Sequence, residues 1–272
     1  MSGGRSLFAA LRHCLDAADP VDKIRRVNDL SVALDGFDPL TTVPTAMPDP
    51  IRAPGHPGKP ALVHPRELPQ RGLGSPEGRA ALLHAVTHIE FNAINLALDA
   101  AYRFRDMPAD FSRDWISVAV DEARHFSLLA QRLQELGFSY GSFAAHNGLW
   151  EMAERTADSC TARMALVPRV LEARGLDVTP GMIARLRQLG DQRSADILEI
   201  ILAEEVRHVA IGSHWFAWCC QRDGLLPEPT FIELIRGVAK NSIRGPFNFP
   251  ARRAAGFADS EMRLLAALGA EK

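Results

Sequence analysis

Two short segments pair an acid with a histidine at the same spacing, Asp121-Glu-Ala-Arg-His125 and Glu204-Glu-Val-Arg-His208. Three residues of α-helix turn the chain through about 300°, so Glu122 and His125, and likewise Glu205 and His208, share one face one turn apart and can bind a common metal ion. The flanking residues say where those faces point. Trp115, Val118, Ala119, Phe126 and Leu129 lie on the stripe of Glu122; Leu198, Ile201, Leu202, Val209 and Gly212 lie on that of Glu205. Both acids therefore face a core, where a carboxylate is costly unless a cation or a proton offsets it.

Each pair also has a glutamate upstream at nearly the same distance, Glu90 before Glu122 and Glu172 before Glu205, which implies a duplicated helix pair. Glu90 shares its face with Leu83, Val86, Ala93, Ile94 and Ala97; the face of Glu172 is more mixed, with Arg169 and Pro168 besides Ala165. Together Glu90, Glu122, His125, Glu172, Glu205 and His208 make the ligand set of a di-iron carboxylate bundle: one glutamate from each of two helices and a Glu-x-x-His from each of the others. Four carboxylates and two neutral imidazoles also balance two divalent cations, leaving no net charge in the core. Oxygen and imidazole donors suit two Fe ions, with Mn or a mixed Fe/Mn pair as alternatives, and the lack of thiolates argues against zinc. With nine histidines and fifteen glutamates in the chain, about half a Glu-x-x-His pair arises by chance, so placement carries the inference and the motif count does not.

Other residues have ordinary readings. His84 and His88 lie more than about 100° around their helix from Glu90, which makes them helix-start or surface histidines and not members of its site. Asp121, Glu199 and Glu204 fall off the ligand faces and read as solvated charge. Trp215, Phe216 and Trp218 read as core. Arg236, Lys240, Arg244, Arg252 and Arg253 concentrate positive charge near the end of the chain; they read as solvated surface, with docking of an anionic substrate group as the alternative.

The elements that must hold these residues are helices. Ser75-Pro76-Glu77 combines a capping residue, a proline at the first helical position and an early acid, and opens a helix to about Arg103. A second runs from about Phe111 to Leu136 and stops at Gly137. A third spans about Leu149 to Arg174 and stops at Gly175. Thr179-Pro180 starts a short helix to about Leu189, and a fourth long helix runs from about Asp191 to Gln221. Residues 5–33 carry one or two short amphipathic helices. Nine prolines over residues 34–74 interrupt any regular element, so an extended segment wrapping the rest is expected. After residue 225 come a helix near 228–239, an irregular stretch from Asn241 to Pro250, and a helix from about Asp259 to Leu268. Alternating β-branched or aromatic runs are missing, so the fold class is all-α: a ferritin-like four-helix bundle over 75–224, preceded by N-terminal helices and a proline-rich segment over 1–74 and followed by a helical tail over 225–272.

Composition excludes other classes. A net charge of -2 gives no global basic field, so neither nucleic acid nor an anionic membrane is an expected partner. Cys14, Cys160, Cys219 and Cys220 have no metal-binding spacing and read as reduced core thiols. The apolar stretch at the N-terminus is broken by Arg12 and His13, so cytoplasmic residence is expected.

The proline-rich lead Pro54-Gly-His-Pro-Gly-Lys-Pro60 through Leu68-Pro69, the stretch from Met164 to Gly181 and the run Glu199-Ile-Ile-Leu-Ala-Glu-Glu-Val-Arg-His-Val-Ala-Ile-Gly212 resemble bacterial ferritin-like proteins of unknown function. The resemblance covers most of the chain. More distantly the bundle is similar to the tRNA-modifying di-iron monooxygenases, which leaves tRNA open as a partner while nucleic acid in general is not expected; fold-level likeness transfers no substrate. The reading that follows is a di-iron oxidoreductase that activates O2 to hydroxylate or desaturate a small organic substrate, drawing on an electron donor, with the six ligands as its chemistry. Alternatives are iron oxidation or peroxide removal, and a bundle that uses its metals structurally. The lead and the tail would then cover a pocket or form a homodimer contact.

Overall fold

A computed structural model describes residues 6–36, 48–239 and 243–270. Pro39, Pro44 and Lys240 of the sequence reading lie outside the described residues. The described residues are helical, with no strand among them beyond one isolated parallel bridge between Leu62 and Ala145, and none of the helices is long and apolar enough to cross a membrane. They form two compact units, residues 1–154 and 155–272.

The first unit is built on a helical hairpin. Helix α3 (Pro76–Arg103) starts where Ser75 Oγ accepts the Gly78 N–H at 3.0 Å, and α4 (Ala109–Glu135) packs along it. Gly137, at φ +84°, closes α4 in the left-handed conformation that costs a residue without Cβ nothing. Two short helices, α1 (Leu7–Leu15) and α2 (Pro20–Val32), cover the hairpin. Lys23 of α2, fully buried, ties them down: its Nζ donates to the last carbonyls of α1, Cys14 O and Leu15 O, and to Asn95 Oδ1 of α3 at 2.6 Å. The described part of the proline-rich segment, residues 48–74, is packed and extended apart from a single helical turn at Pro65–Glu67. Gly55 N–H donates to Leu15 O, Val63 N–H to Ala145 O, and Trp150 Nε1, on α5 (Gly148–Arg155), to Arg52 O.

The second unit corrects the expected third helix. No continuous helix runs from Leu149 to Arg174. Ser159 caps a new helix, α6 (Cys160–Leu166), by accepting the Ala162 N–H, and Arg163 bonds Thr156 Oγ1 at 2.7 Å; such side-chain bonds compete with the helical ladder. From α6 the chain passes into a π-helical turn, Val167–Glu172, and on into α7 (Ala173–Gln188). Pro168 has no N–H to give the helix, consistent with the widened turn at that point. Neither Gly175 nor Thr179-Pro180 is a boundary. Gly175 continues the helix, and the carbonyl that Pro180 cannot serve, Leu176 O, accepts from Asn248 Nδ2 at 3.1 Å instead. Gly190, at φ +76°, ends α7, and Asp191 caps α8 (Gln192–Arg222) through the Ser194 N–H.

Beyond α8 lie α9 (Pro227–Leu234), a second π turn (Ile235–Ala239), α10 (Phe249–Ala254) and α11 (Asp259–Ala270). Helix α10 takes the last residues of the stretch expected to be irregular, with Asn248 as its cap and Pro250 in its first turn. All four cysteines are buried free thiols.

Candidate metal centre

In the first unit the hairpin brings Glu90, Glu122 and His125 together. One donor atom of each lies within 4.8 Å of the others, and the residues are 5%, 1% and 0% exposed. His125 Nδ1 stands 3.2 Å from Glu122 Oε2 and 3.3 Å from Glu90 Oε2. Burial and then the nearby charge of Glu122 hold the Glu90 carboxyl well above the usual carboxylate range. Burial alone would pull the His125 imidazole down, but hydrogen bonds and charge from Glu122 and Glu90 outweigh it and push it up to about 11. Without a metal, then, burial and mutual charge favour the protonated forms of Glu90 and His125. A divalent cation among oxygen and nitrogen donors offsets the same charge and displaces those protons, so the donor set fits a hard or borderline metal.

The second unit repeats half of this geometry. His208 Nδ1 lies 3.1 Å from Glu205 Oε2, with the imidazole fully buried and the carboxylate 12% exposed. Glu172 is on the facing segment. A Cβ at Gly175 would touch Glu205 Cγ at 4.0 Å, and Gly212 faces Pro168, so the two helical segments run antiparallel in a register that sets Glu172 level with His208. Among the described residues Glu172 joins no group of three or more donors within 4.8 Å of one another.

His84 and His88 stay apart from Glu90's cluster as their helical angles require, but they are not surface residues. They are 1% and 8% exposed. His84 Nε2 accepts the Gly141 N–H at 2.9 Å and its ring stacks on Tyr140; His88 contacts Tyr140 Oη at 2.9 Å and the His146 carbonyl at 3.1 Å. Burial pushes both imidazoles down to about 4, so they are neutral. Tyr140 packs in turn on Phe91 and Phe126, the neighbours in sequence of Glu90 and His125.

Of the C-terminal basic residues, Arg236, Arg244 and Arg253 are exposed as expected and Arg252 is not. Arg252, 3% exposed, donates to both oxygens of Asp177, and Arg253 pairs with Asp259, so a solvated Arg252 is corrected to a core ion pair. Trp215 and Phe216 are buried as expected, whereas Trp218 is only half-buried. Two residues that sequence reasoning passed over are Arg169 and Glu261, a buried pair at 2.8 Å. Arg169 was visible only as a blemish on the face of Glu172.

A family model described as a protein of unknown function, DUF455, matches residues 16–263, a span that holds all six candidate ligands. A protein of Haemophilus influenzae described as uncharacterized is 45% identical over 262 residues, covering 91% of this chain and 89% of its own length. No solved structure matches. With that span and that relative, the chain belongs to the DUF455 family.

Proposed function

We propose that this protein is a di-iron carboxylate oxidoreductase of ferritin-like, four-helix architecture, using O2 to hydroxylate or desaturate an organic substrate. The observation that carries the reading is the cluster of Glu90, Glu122 and His125, two carboxylates and an imidazole within 4.8 Å of one another at almost no exposure. Such a cluster destabilises the fold unless it binds something, and buried groups of perturbed pKa mark functional sites more often than structural ones. The Glu205–His208 pair repeats its geometry and the sequence repeats its pentad. The six-residue ligand set combines both pairs with Glu172, and its charge balances two divalent ions.

Bound as a pair, ferrous ions supply the redox chemistry needed to reduce O2 and oxidise a C–H bond. The chain's own part is binding and orientation. Without metal, Glu122 and Glu90 both meet His125 at Nδ1 and Glu205 meets His208 there, so the donor atoms already converge where an ion would be held. The apolar neighbours Phe91, Phe126 and Ala123, at most 4% exposed, keep bulk water from the first cluster.

Protein purified with added iron tests this reading. About two metal ions per chain are expected by elemental analysis, falling sharply in His125→Ala and in Glu205→Ala. Mixing the anaerobic ferrous protein with O2 should produce ultraviolet and near-visible absorption of an oxidised iron centre. Metal content unchanged by both substitutions would sink the proposal.

A further inference from the structure

Arg169 is 2% exposed and stands in the π turn three residues before Glu172. Its Nη2 donates to both carboxylate oxygens of Glu261 at 2.8 Å, and its Nε donates to Ser213 Oγ at 3.2 Å. Its guanidinium carbon lies 4.2, 4.5 and 4.8 Å from the ring centres of Phe231, Phe257 and Phe216. Those partners come from α8, α9, α11 and the turn before α11, so much of the C-terminal structure converges on this one side chain.

A buried ion pair of this kind adds little net stability over apolar residues of the same volume. What it contributes is geometry, because a planar guanidinium held by a carboxylate, a hydroxyl and three rings has one orientation. In an ordinary α-helix Arg169 and Glu172 would share a face within about 60°. The wider winding of the π turn separates them, sending Arg169 to the C-terminal helices and Glu172 in another direction. The residues just after Glu172 are anchored to the same part of the chain: Arg174 donates to the carbonyls of Arg244, Gly245 and Pro246, and Asp177 accepts from Arg252 and from the Asn248 N–H.

We infer that Arg169 is a positioning residue for Glu172, and that through the Arg169–Glu261 pair the C-terminal helices set the place of that carboxylate in the metal centre. This rests on the reading of Glu172 as a ligand. Outer partners that orient ligands typically change metal affinity by about 10- to 100-fold. A merely structural pin would change stability and leave affinity alone.

The test uses the full chain, titrated anaerobically with cobalt(II) and followed by visible absorption. The double substitution Arg169→Met with Glu261→Leu replaces the pair with apolar residues and should keep the thermal transition; Glu261→Gln serves if that protein does not fold. The expected result is cobalt affinity weakened by about 10-fold or more with an altered absorption envelope, and no further weakening when the same change is made in Glu172→Gln. Wild-type affinity in the substituted protein overturns the inference while leaving the metal centre standing, as does an equal loss in the Glu172→Gln background. Absence of cobalt binding by the unaltered chain overturns both.

Discussion

The ring of Pro168 fills the space beside Gly212, where any Cβ would collide with the proline Cβ and Cγ. Gly212 therefore sets how closely α8 approaches the π turn. Gly212→Ala gains helix propensity of about 1 kcal/mol but overpacks against a closed ring that has no other rotamer to adopt. A net loss of about 1–2 kcal/mol is expected in urea unfolding. Gly181→Ala, exposed in α7 with nothing within 4 Å of the added carbon, should gain about 0.5–1 kcal/mol in the same assay.

Glu90 faces Glu122 and His125 in a core that disfavours charge. In metal-free protein Glu90→Gln should leave the melting temperature unchanged or raise it, since it removes a buried acid while keeping a polar group of the same size. The unaltered protein should gain stability when ferrous iron is added, by mass action on the folded state. Calorimetry with and without iron checks both, and a full iron-induced rise in Glu90→Gln would contradict the assignment of that ligand.

Burial pushes the Lys23 ammonium down to about 7, whereas in an unfolded chain it holds its proton to about 10.4. Between these values the unfolded state binds more protons, so this group's contribution to stability rises with pH and is lost as pH falls towards 7. From pH 7 to 9 the unaltered protein should gain about 2 kcal/mol relative to Lys23→Met. The variant should also be weaker throughout, because Cys14 O, Leu15 O and Asn95 lose their donor. Urea midpoints at the two pH values measure the difference.

Asp177→Ala leaves the guanidinium of Arg252 buried without its carboxylate. A cost of about 3–5 kcal/mol is expected. Because Asp177 also accepts the Asn248 N–H, cleavage by trypsin at Arg244 and Arg252 should accelerate well beyond that of the unaltered protein, as mass spectrometry of the fragments would show.

Helices whose ends carry local chemistry were legible. Ser75-Pro76, Gly137 and Asp191 mark boundaries through their own caps, and the structure uses each of them. Gly175 and Thr179-Pro180 misled because their outcome is decided elsewhere, by an amide on Asn248 that serves the carbonyl Pro180 leaves open. The same asymmetry runs through the candidate site. Helical angle alone puts Glu90, Glu122 and His125 on facing stripes, and their meeting in the hairpin follows. The face of Glu172 could not be read that way, since a π turn changes the angle per residue and periodicity assumes it constant. His84 and His88 were excluded from the cluster correctly but left on the surface wrongly, because the loop residues Tyr140, Gly141 and His146 that bury them are distant in sequence.

The bond from Lys23 to Asn95 joins residues 72 apart, and that from Trp150 to Arg52 joins residues 98 apart. Closing such long loops costs entropy before any contact returns it, which slows folding. On a ribosome, α1, α2 and the proline-rich segment emerge before the hairpin and loop residues they pack on. Helices α1 and α2 must wait for α3 and α4, and the segment around Arg52 and Val63 until Ala145 and Trp150 have cleared the tunnel, so the first unit assembles from its middle outwards.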